Sequence, residues 1–150
     1  MARKRNKLLI VDGYNVLRSG ERYKTTAFGP DYTDDAFNTA RERLINDVVN
    51  FAGRDWRAII VFDGAKNEFS TGETQTIGGV RIMFSPAGQS ADKVIEKLAH
   101  DARERMVETL VVTSDATIQD TVFGGGVDRM SANGFSYEVG ECYDQARLDE

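Results

Sequence analysis

The sequence predicts a three-layer α/β domain with a central parallel sheet flanked by helices, and three observations carry that expectation. Short unbroken apolar runs recur at Leu8-Leu9-Ile10-Val11, Ala58-Ile59-Ile60-Val61-Phe62 and Leu110-Val111-Val112. Continuous runs, rather than alternating ones, mark strands buried on both faces. Each run closes on an acid-bearing turn: Asp12-Gly13, Asp63-Gly64 and Thr113-Ser114-Asp115. Between the runs, apolar residues return every three or four positions, the period of a helix. Strand and helix in alternation give parallel strands joined by right-handed crossovers.

Taken in order, the first strand covers Leu8 to Val11. A helix is expected from Asp34 to Phe51, with the stripe Phe37, Ala40, Leu44, Val48, Phe51 and Thr33 as its N-cap. The second strand is Ala58 to Phe62. The stretch from Gly64 to Gly79, rich in Gly, Thr, Ser and Asn, reads as a mobile excursion. A weaker strand, Val80 to Phe84, stops before Pro86. Ser90 caps a long helix from Ala91 to Glu108, whose stripe is Ala91, Val94, Ile95, Leu98, Ala102 and Met106. After the strand Leu110–Val112, short helices are expected from Asp115 to Phe123 and from Val127 to Ala132, and a last strand from Phe135 to Val139. A chain of 150 residues buries on the order of 70% of its unfolded surface, enough for one core. One domain over 1–150 is therefore expected, with a basic start at 1–7 and a tail at 141–150.

Composition narrows the chemistry. With 41% hydrophobic and 29% charged residues the chain is globular. It has one cysteine, Cys142, and one histidine, His100, so it cannot by itself build a disulfide framework or a Cys/His zinc site. No nucleophile-elbow sequence surrounds any serine, which leaves a Ser-His-Asp triad without support. Gly124-Gly125-Gly126 follows a helical pattern rather than a strand, unlike a dinucleotide or Walker loop. An aspartyl-phosphate phosphatase would need an acid two residues after Asp12, where Tyr14 stands, and a receiver domain would need a lysine ending Leu110–Val112. No apolar run approaches the ~20 residues of a membrane span, and Met1-Ala2-Arg3-Lys4-Arg5-Asn6-Lys7 lacks the apolar stretch of a signal peptide. The expectation is a soluble, intracellular protein.

What remains is carboxylate chemistry. Ligands of open parallel sheets bind at the carboxyl ends of the strands, where Asp12, Asp63 and Asp115 stand. Asp92 opens the long helix, and Glu96 lies one turn further on the same face. Each has a plainer reading: Asp115 as a helix cap, Asp63 as a turn residue, Asp92 as an acid favoured by the helix dipole, Glu96 as a solvated partner of Lys93 or His100. Together these readings weaken, because Asp92 and Glu96 at i,i+4 repel, as do acids sharing one crevice. A divalent cation relieves that repulsion, and carboxylates favour hard cations such as Mg²⁺ or Mn²⁺.

Leu9-Ile10-Val11-Asp12-Gly13-Tyr14-Asn15-Val16 resembles the opening of NYN domains, a branch of the PIN-like nucleases. Val61-Phe62-Asp63, Ser90 through Leu98, Val112-Thr113-Ser114-Asp115, Phe123 through Gly126 and Arg129-Met130-Ser131-Ala132 follow in order and are similar to the YacP-type NYN proteins. The resemblance implies a PIN-like fold and a Mg²⁺- or Mn²⁺-dependent endoribonuclease acting on single-stranded RNA, messenger RNA in a ribosome-associated context, in the cytoplasm or a plastid stroma. It implies Asp12, Asp92 and Asp115 as metal-binding catalytic acids, with Asn15 orienting Asp12 or a water. Glu96 would assist a second metal or the water network, and Asp63 would be a supporting acid. The rival from another class is a non-catalytic RNA- or ribosome-binding module that keeps the fold.

Charge bears on the partner. Lys+Arg number 19 against 24 Asp+Glu, a net charge of −5, which excludes a uniformly basic nucleic-acid binder. Arg18, Arg22, Lys24 and Arg129 are the candidates for holding RNA beside the crevice, with the basic start an additional one. Relatives of this type often continue into a longer basic C-terminal segment, whereas this sequence ends Ala146-Arg147-Leu148-Asp149-Glu150. Affinity for bare RNA is accordingly expected to be weak and steeply dependent on salt.

Overall fold

The apolar run behind Lys7 folds as β1 (Lys7–Asp12), lying between β2 (Trp56–Phe62) and β5 (Glu108–Val112) and parallel to both. Beyond β2 comes β4 (Val80–Phe84), and beyond β5 comes β6 (Val127–Met130), each again parallel to its neighbour. Only β3 (Thr74–Ile77) runs antiparallel, at the edge beside β4, so the order is β3-β4-β2-β1-β5-β6. This computed structural model describes residues 7–24, 34–64, 74–118 and 122–148.

Four helices cover the sheet: α1 (Gly13–Ser19), α2 (Asp34–Ala52), α3 (Ala91–Glu104) and α4 (Ala132–Leu148). Alternation along β1 sends Leu9 and Val11 into one core, shared with Val16, Leu44, Val48 and Phe135 of α1, α2 and α4. It sends Ile10 into a second core with Ile95 and Ala99 of α3 and Val111 of β5. Two cores on the two faces of one sheet are the three layers that the apolar runs predict. The cap expected of Ser90 is present: its hydroxyl accepts the Lys93 N–H at 3.4 Å. Thr33, the other expected cap, lies outside the described residues, as does the basic start before Lys7.

Several boundaries differ from expectation. Val127–Met130 is a strand, not a short helix, because Val127 is buried beside Thr109 and the segment adds an edge to β5. Phe135–Val139 is not a strand but part of α4. Phe135, Tyr137 and Val139 have period two, yet the buried positions are Ala132, Phe135, Ser136 and Val139, a helical stripe, with Tyr137 67% exposed. Residues 141–148, set apart as a tail, continue this helix. After Asp115 the chain makes a turn at 116–118 instead of starting a helix, and 119–121 lie outside the described residues. In the excursion after Gly64, residues 65–73 lie outside the described residues, but Thr74–Ile77 pairs with β4 as a hairpin. Its two-residue turn, Gly78-Gly79, has positive φ at both positions (56° and 84°), the conformation that makes Gly-Gly a hairpin signal.

α3 ends at Glu104, four residues before the expected end. The Val107 N–H donates to the Ala102 carbonyl and the Met106 N–H to the Arg103 carbonyl, a Schellman closure. That closure puts Met106 at φ 58°, in the left-handed region that favours glycine, with its side chain 91% exposed. Met106→Gly is therefore expected to stabilise the fold by about 1 kcal/mol, since it removes Cβ strain while giving up no buried contact. Thermal unfolding read by circular dichroism checks the sign; a lower melting temperature would contradict it.

Candidate active site

The acids meet because three elements end at one place. Leu8 and Ile10 lie on the α3 side of the sheet, and by the same alternation Asp12, the last residue of β1, falls on that side too. Asp92 stands in the first turn of α3, one residue after the buried Ala91. Asp115 follows β5, the strand beside β1. One carboxylate oxygen from each of Asp12, Asp92 and Asp115 lies within 4.8 Å of the other two, with Asp12 buried and the others half-buried. Asp12 must also be followed by glycine. A Cβ on Gly13 would sit 2.4 Å from the Phe62 ring, so no larger residue lets α1 start against β2.

Hydroxyls and amides fix these carboxylates. The Thr113 hydroxyl donates to Asp12 Oδ2 at 2.9 Å and accepts the Asp115 N–H at 3.0 Å, joining two of the three acids through one side chain. The Thr117 hydroxyl lies 2.5 Å from Asp92 Oδ2 and 2.8 Å from Asp115 Oδ1. It has one proton to donate, so it serves one carboxylate at a time. The Thr117 N–H also donates to Asp115 Oδ1, at 2.9 Å. Burial, opposed by the Thr113 hydroxyl and the Asn15 N–H and reinforced by the charges of Asp92 and Asp115, raises the Asp12 pKa from 3.8 to about 6. The site thus concentrates negative charge with the chain's own donors satisfying only part of it. Its donor set is all oxygen, which fits a hard divalent cation.

The other sequence candidates are placed as follows. Asn15 does not reach Asp12 through its side chain; its Oδ1 accepts the Ser114 N–H at 2.7 Å and so ties α1 to the loop carrying Asp115. Ser114 in turn accepts the Ala132 N–H at 2.8 Å, anchoring the start of α4. Glu96 is not part of the three-carboxylate group, and its Oε2 lies 3.8 Å from Lys93 Nζ. Asp63, just past β2, is exposed and outside that group; its charge acts on Tyr14, whose phenol is raised above its usual pKa chiefly by burial.

Of the basic candidates, Arg18 is exposed in the last turn of α1. Arg22 binds the buried Asp47 at 2.7 Å, and Lys24 pairs with Glu21 at 2.8 Å. Arg129 donates to the Ile118 carbonyl at 3.2 Å and lies 4.2 Å from the centroid of the Phe123 ring. Sequence reasoning missed Thr113 and Thr117 as site residues. The signal is present in Thr113-Ser114-Asp115-Ala116-Thr117, where three hydroxyls surround one acid at the junction between the strand end and the expected helix. Among the described residues, no helix is long and apolar enough to cross a membrane.

Known proteins share this fold. The profile of the YacP-like NYN domain matches residues 9–149. The protein YacP of Bacillus subtilis (strain 168) is 31% identical over 132 residues, covering 88% of this chain and 74% of that protein. The crystal structure of Rae1 (YacP) from Bacillus subtilis matches with a TM-score of 0.72, and that of a point variant with 0.73. Both are 29% identical and cover 95% of this chain and 79% of theirs. The chain belongs to the YacP-like NYN domain family.

Proposed function

We propose that this protein is a Mg²⁺- or Mn²⁺-dependent endoribonuclease that hydrolyses single-stranded RNA, with messenger RNA presented by the ribosome as its substrate. The observation that carries this reading is the convergence of Asp12, Asp92 and Asp115 from β1, α3 and the loop after β5 in a chain of a nuclease family. Those three aspartates would hold the cation. When bound, such an ion supplies a water of lowered pKa and offsets charge on the leaving oxygen. The chain's own part is positional. Thr113 keeps Asp12 and Asp115 at a set separation, Thr117 spans Asp92 and Asp115, and Asn15 fixes the loop through Ser114. His100, the one histidine, lies exposed on α3 beside Glu104, away from the aspartates, so acid–base work does not fall to it. Hydrolysis that needs no 2′-hydroxyl nucleophile leaves a 5′-phosphate and a 3′-hydroxyl.

The test is cleavage of an end-labelled single-stranded RNA by purified protein, with ribosomes supplied, in Mg²⁺ or Mn²⁺ and in EDTA. Cleavage in metal alone, with those termini, is expected; cleavage that persists in EDTA would remove the proposal. A pH series adds a second readout. Asp12 must be ionised to bind a cation, so Mn²⁺ affinity should rise with pH through about 6. Thr113→Val deletes a hydrogen bond to a charged acceptor, worth roughly 1.5–3 kcal/mol. The midpoint should therefore move upward by about one unit or more. An unmoved midpoint would mean that Thr113 does not tune Asp12.

A further inference from the structure

At the other end of the sheet from the aspartates, a cavity of about 310 Å³ opens between the strands and the C-terminal half of α3. Its floor includes Leu8, Leu98 and Val107, and three arginines from three elements line it: Arg57 of β2, Arg81 of β4 and Arg105 after α3. The register explains the first two. Arg57 pairs with Leu8 and Arg81 with Ile59, so both stand on the sheet face that α3 covers only in part. They are diagonal neighbours, with Cβ atoms roughly 7–8 Å apart. None of the three arginines forms an ion pair among the described residues, nor does Asp101, the one acid among the described lining residues.

Like charges placed side by side on one sheet face repel, and here they border a concave apolar floor instead of projecting singly into water. The planar guanidinium fork matches a phosphate, and an apolar floor with a few convergent polar groups is the build of a ligand site. The chain as a whole carries −5, so affinity for a polyanion has to come from local clusters. Two of the basic residues expected to hold RNA, Arg22 and Lys24, are paired with Asp47 and Glu21. The arginine-lined cavity is a cluster whose charge is not paired among the described residues.

We propose that this cavity is a second RNA-contacting site. It takes one nucleotide of a single strand, with the phosphate between Arg57, Arg81 and Arg105 and the ribose or base on the apolar floor. For its ligand this rests on the nuclease reading; its geometry is independent of the aspartates. Leu8 and Asp12 are four residues apart on β1, roughly 13 Å, with the buried Ile10 and α3 between them, so RNA held here would reach the acids by passing around α3. The site would anchor the strand while the aspartates act on another part of it.

Fluorescence anisotropy of a labelled single-stranded oligoribonucleotide, titrated with the full chain in EDTA over a salt series, tests this. Arg57→Gln/Arg81→Gln is compared with the charge-matched Arg43→Gln/Arg54→Gln, which changes exposed arginines elsewhere. All four positions are exposed, and thermal melts confirm that both variants fold. The first variant should lose at least tenfold in affinity, and its plot of log affinity against log salt should flatten by about 0.7, one phosphate contact's worth. The control should lose no more than twofold to threefold, and Arg57→Lys/Arg81→Lys should keep the wild-type slope. Equal losses in the two Gln variants would overturn the proposal, as would wild type that does not bind RNA. So would AMP binding to the cavity, read from Leu8, Leu98 and Val107 methyl shifts, with no such shifts from RNA. A parallel cleavage assay in Mn²⁺ separates the two readings. Cleavage with no effect of Arg57→Gln/Arg81→Gln removes only the cavity. RNA held by the cavity with no cleavage in any metal removes only the nuclease.

Discussion

Asp12→Asn is expected to abolish metal-dependent cleavage and, in the same protein, to raise the stability of the metal-free fold. The second effect follows from the electrostatics of the site. Asp12 is 5% exposed, and its pKa is raised from 3.8 to about 6 by burial first and by the neighbouring aspartates after that. A carboxylate whose folded pKa lies above its unfolded value favours folding in its protonated form. Below pH 3.8 that advantage is fully present. It is lost as pH rises from 3.8 to about 6, and above 6 the ionised group leaves the fold weaker by roughly 3 kcal/mol. Asparagine keeps the shape and can still accept from Thr113, but it carries no charge. Its amide also offers donors to Asp92 and Asp115. In EDTA at pH 8 the variant should therefore melt roughly 10 °C above wild type, and at pH 4 the two should nearly coincide. Added Mn²⁺ should raise the melting temperature of wild type by mass action and leave the variant almost unmoved. A variant less stable than wild type in EDTA at pH 8 would contradict this account of the site. Unchanged cleavage by the variant would contradict its role.

The same physics decides how much was legible in the sequence. The central strands were, because the middles of β1, β2 and β5 are buried on both faces and must be apolar there. The three converging acids were, because strand ends beside a crevice are where charge and sheet topology meet: Asp12 and Asp115 could be chosen from the ends of their runs, and Asp92 from its place after the Ser90 cap, although the same reasoning also selects Asp63 and Glu96, which lie outside the group. The edges were not. β3 has four exposed residues and β6 has Asp128 and Arg129 exposed, so neither writes an apolar run, and each exists because a neighbouring strand offers unpaired backbone groups. α4 was misread because Phe135, Tyr137 and Val139 satisfy period two within five residues, and only Ala132 settles the period in favour of a helix. Thr113 and Thr117 escaped for a different reason: a hydroxyl's duty depends on which carboxylate the fold brings to it, and Asp12 is 101 positions from Thr113.

Asp47→Ala should cost stability as strongly as Asp12→Asn gains it, although both positions are buried aspartates. Asp47 is 1% exposed on α2, but its surroundings are donors rather than acids. Tyr23 donates its hydroxyl to Asp47 Oδ2 at 2.6 Å, and Arg22 Nε donates to the same oxygen at 2.7 Å. Tyr23 is itself fully buried, and burial together with Asp47 pushes its phenol far above the usual pKa, so it remains a donor throughout the accessible pH range. Removing the carboxylate strands the buried Tyr23 hydroxyl and takes from Arg22 its ion-pair partner. Breaking one partner of such a buried pair costs about 3–5 kcal/mol, more than the roughly 1–3 kcal/mol expected of Tyr23→Phe, which leaves the ion pair in place. Chemical denaturation gives the size of both losses. The discriminating measurement is Mn²⁺ affinity of folded Asp47→Ala at low temperature, which should match wild type because Asp47 braces the segment after α1 and is outside the three-carboxylate group. Loss of Mn²⁺ binding in a variant that is still folded would mean that this brace also sets the position of Asp12. It would then join the two buried aspartates, which the charges around them otherwise keep apart in function.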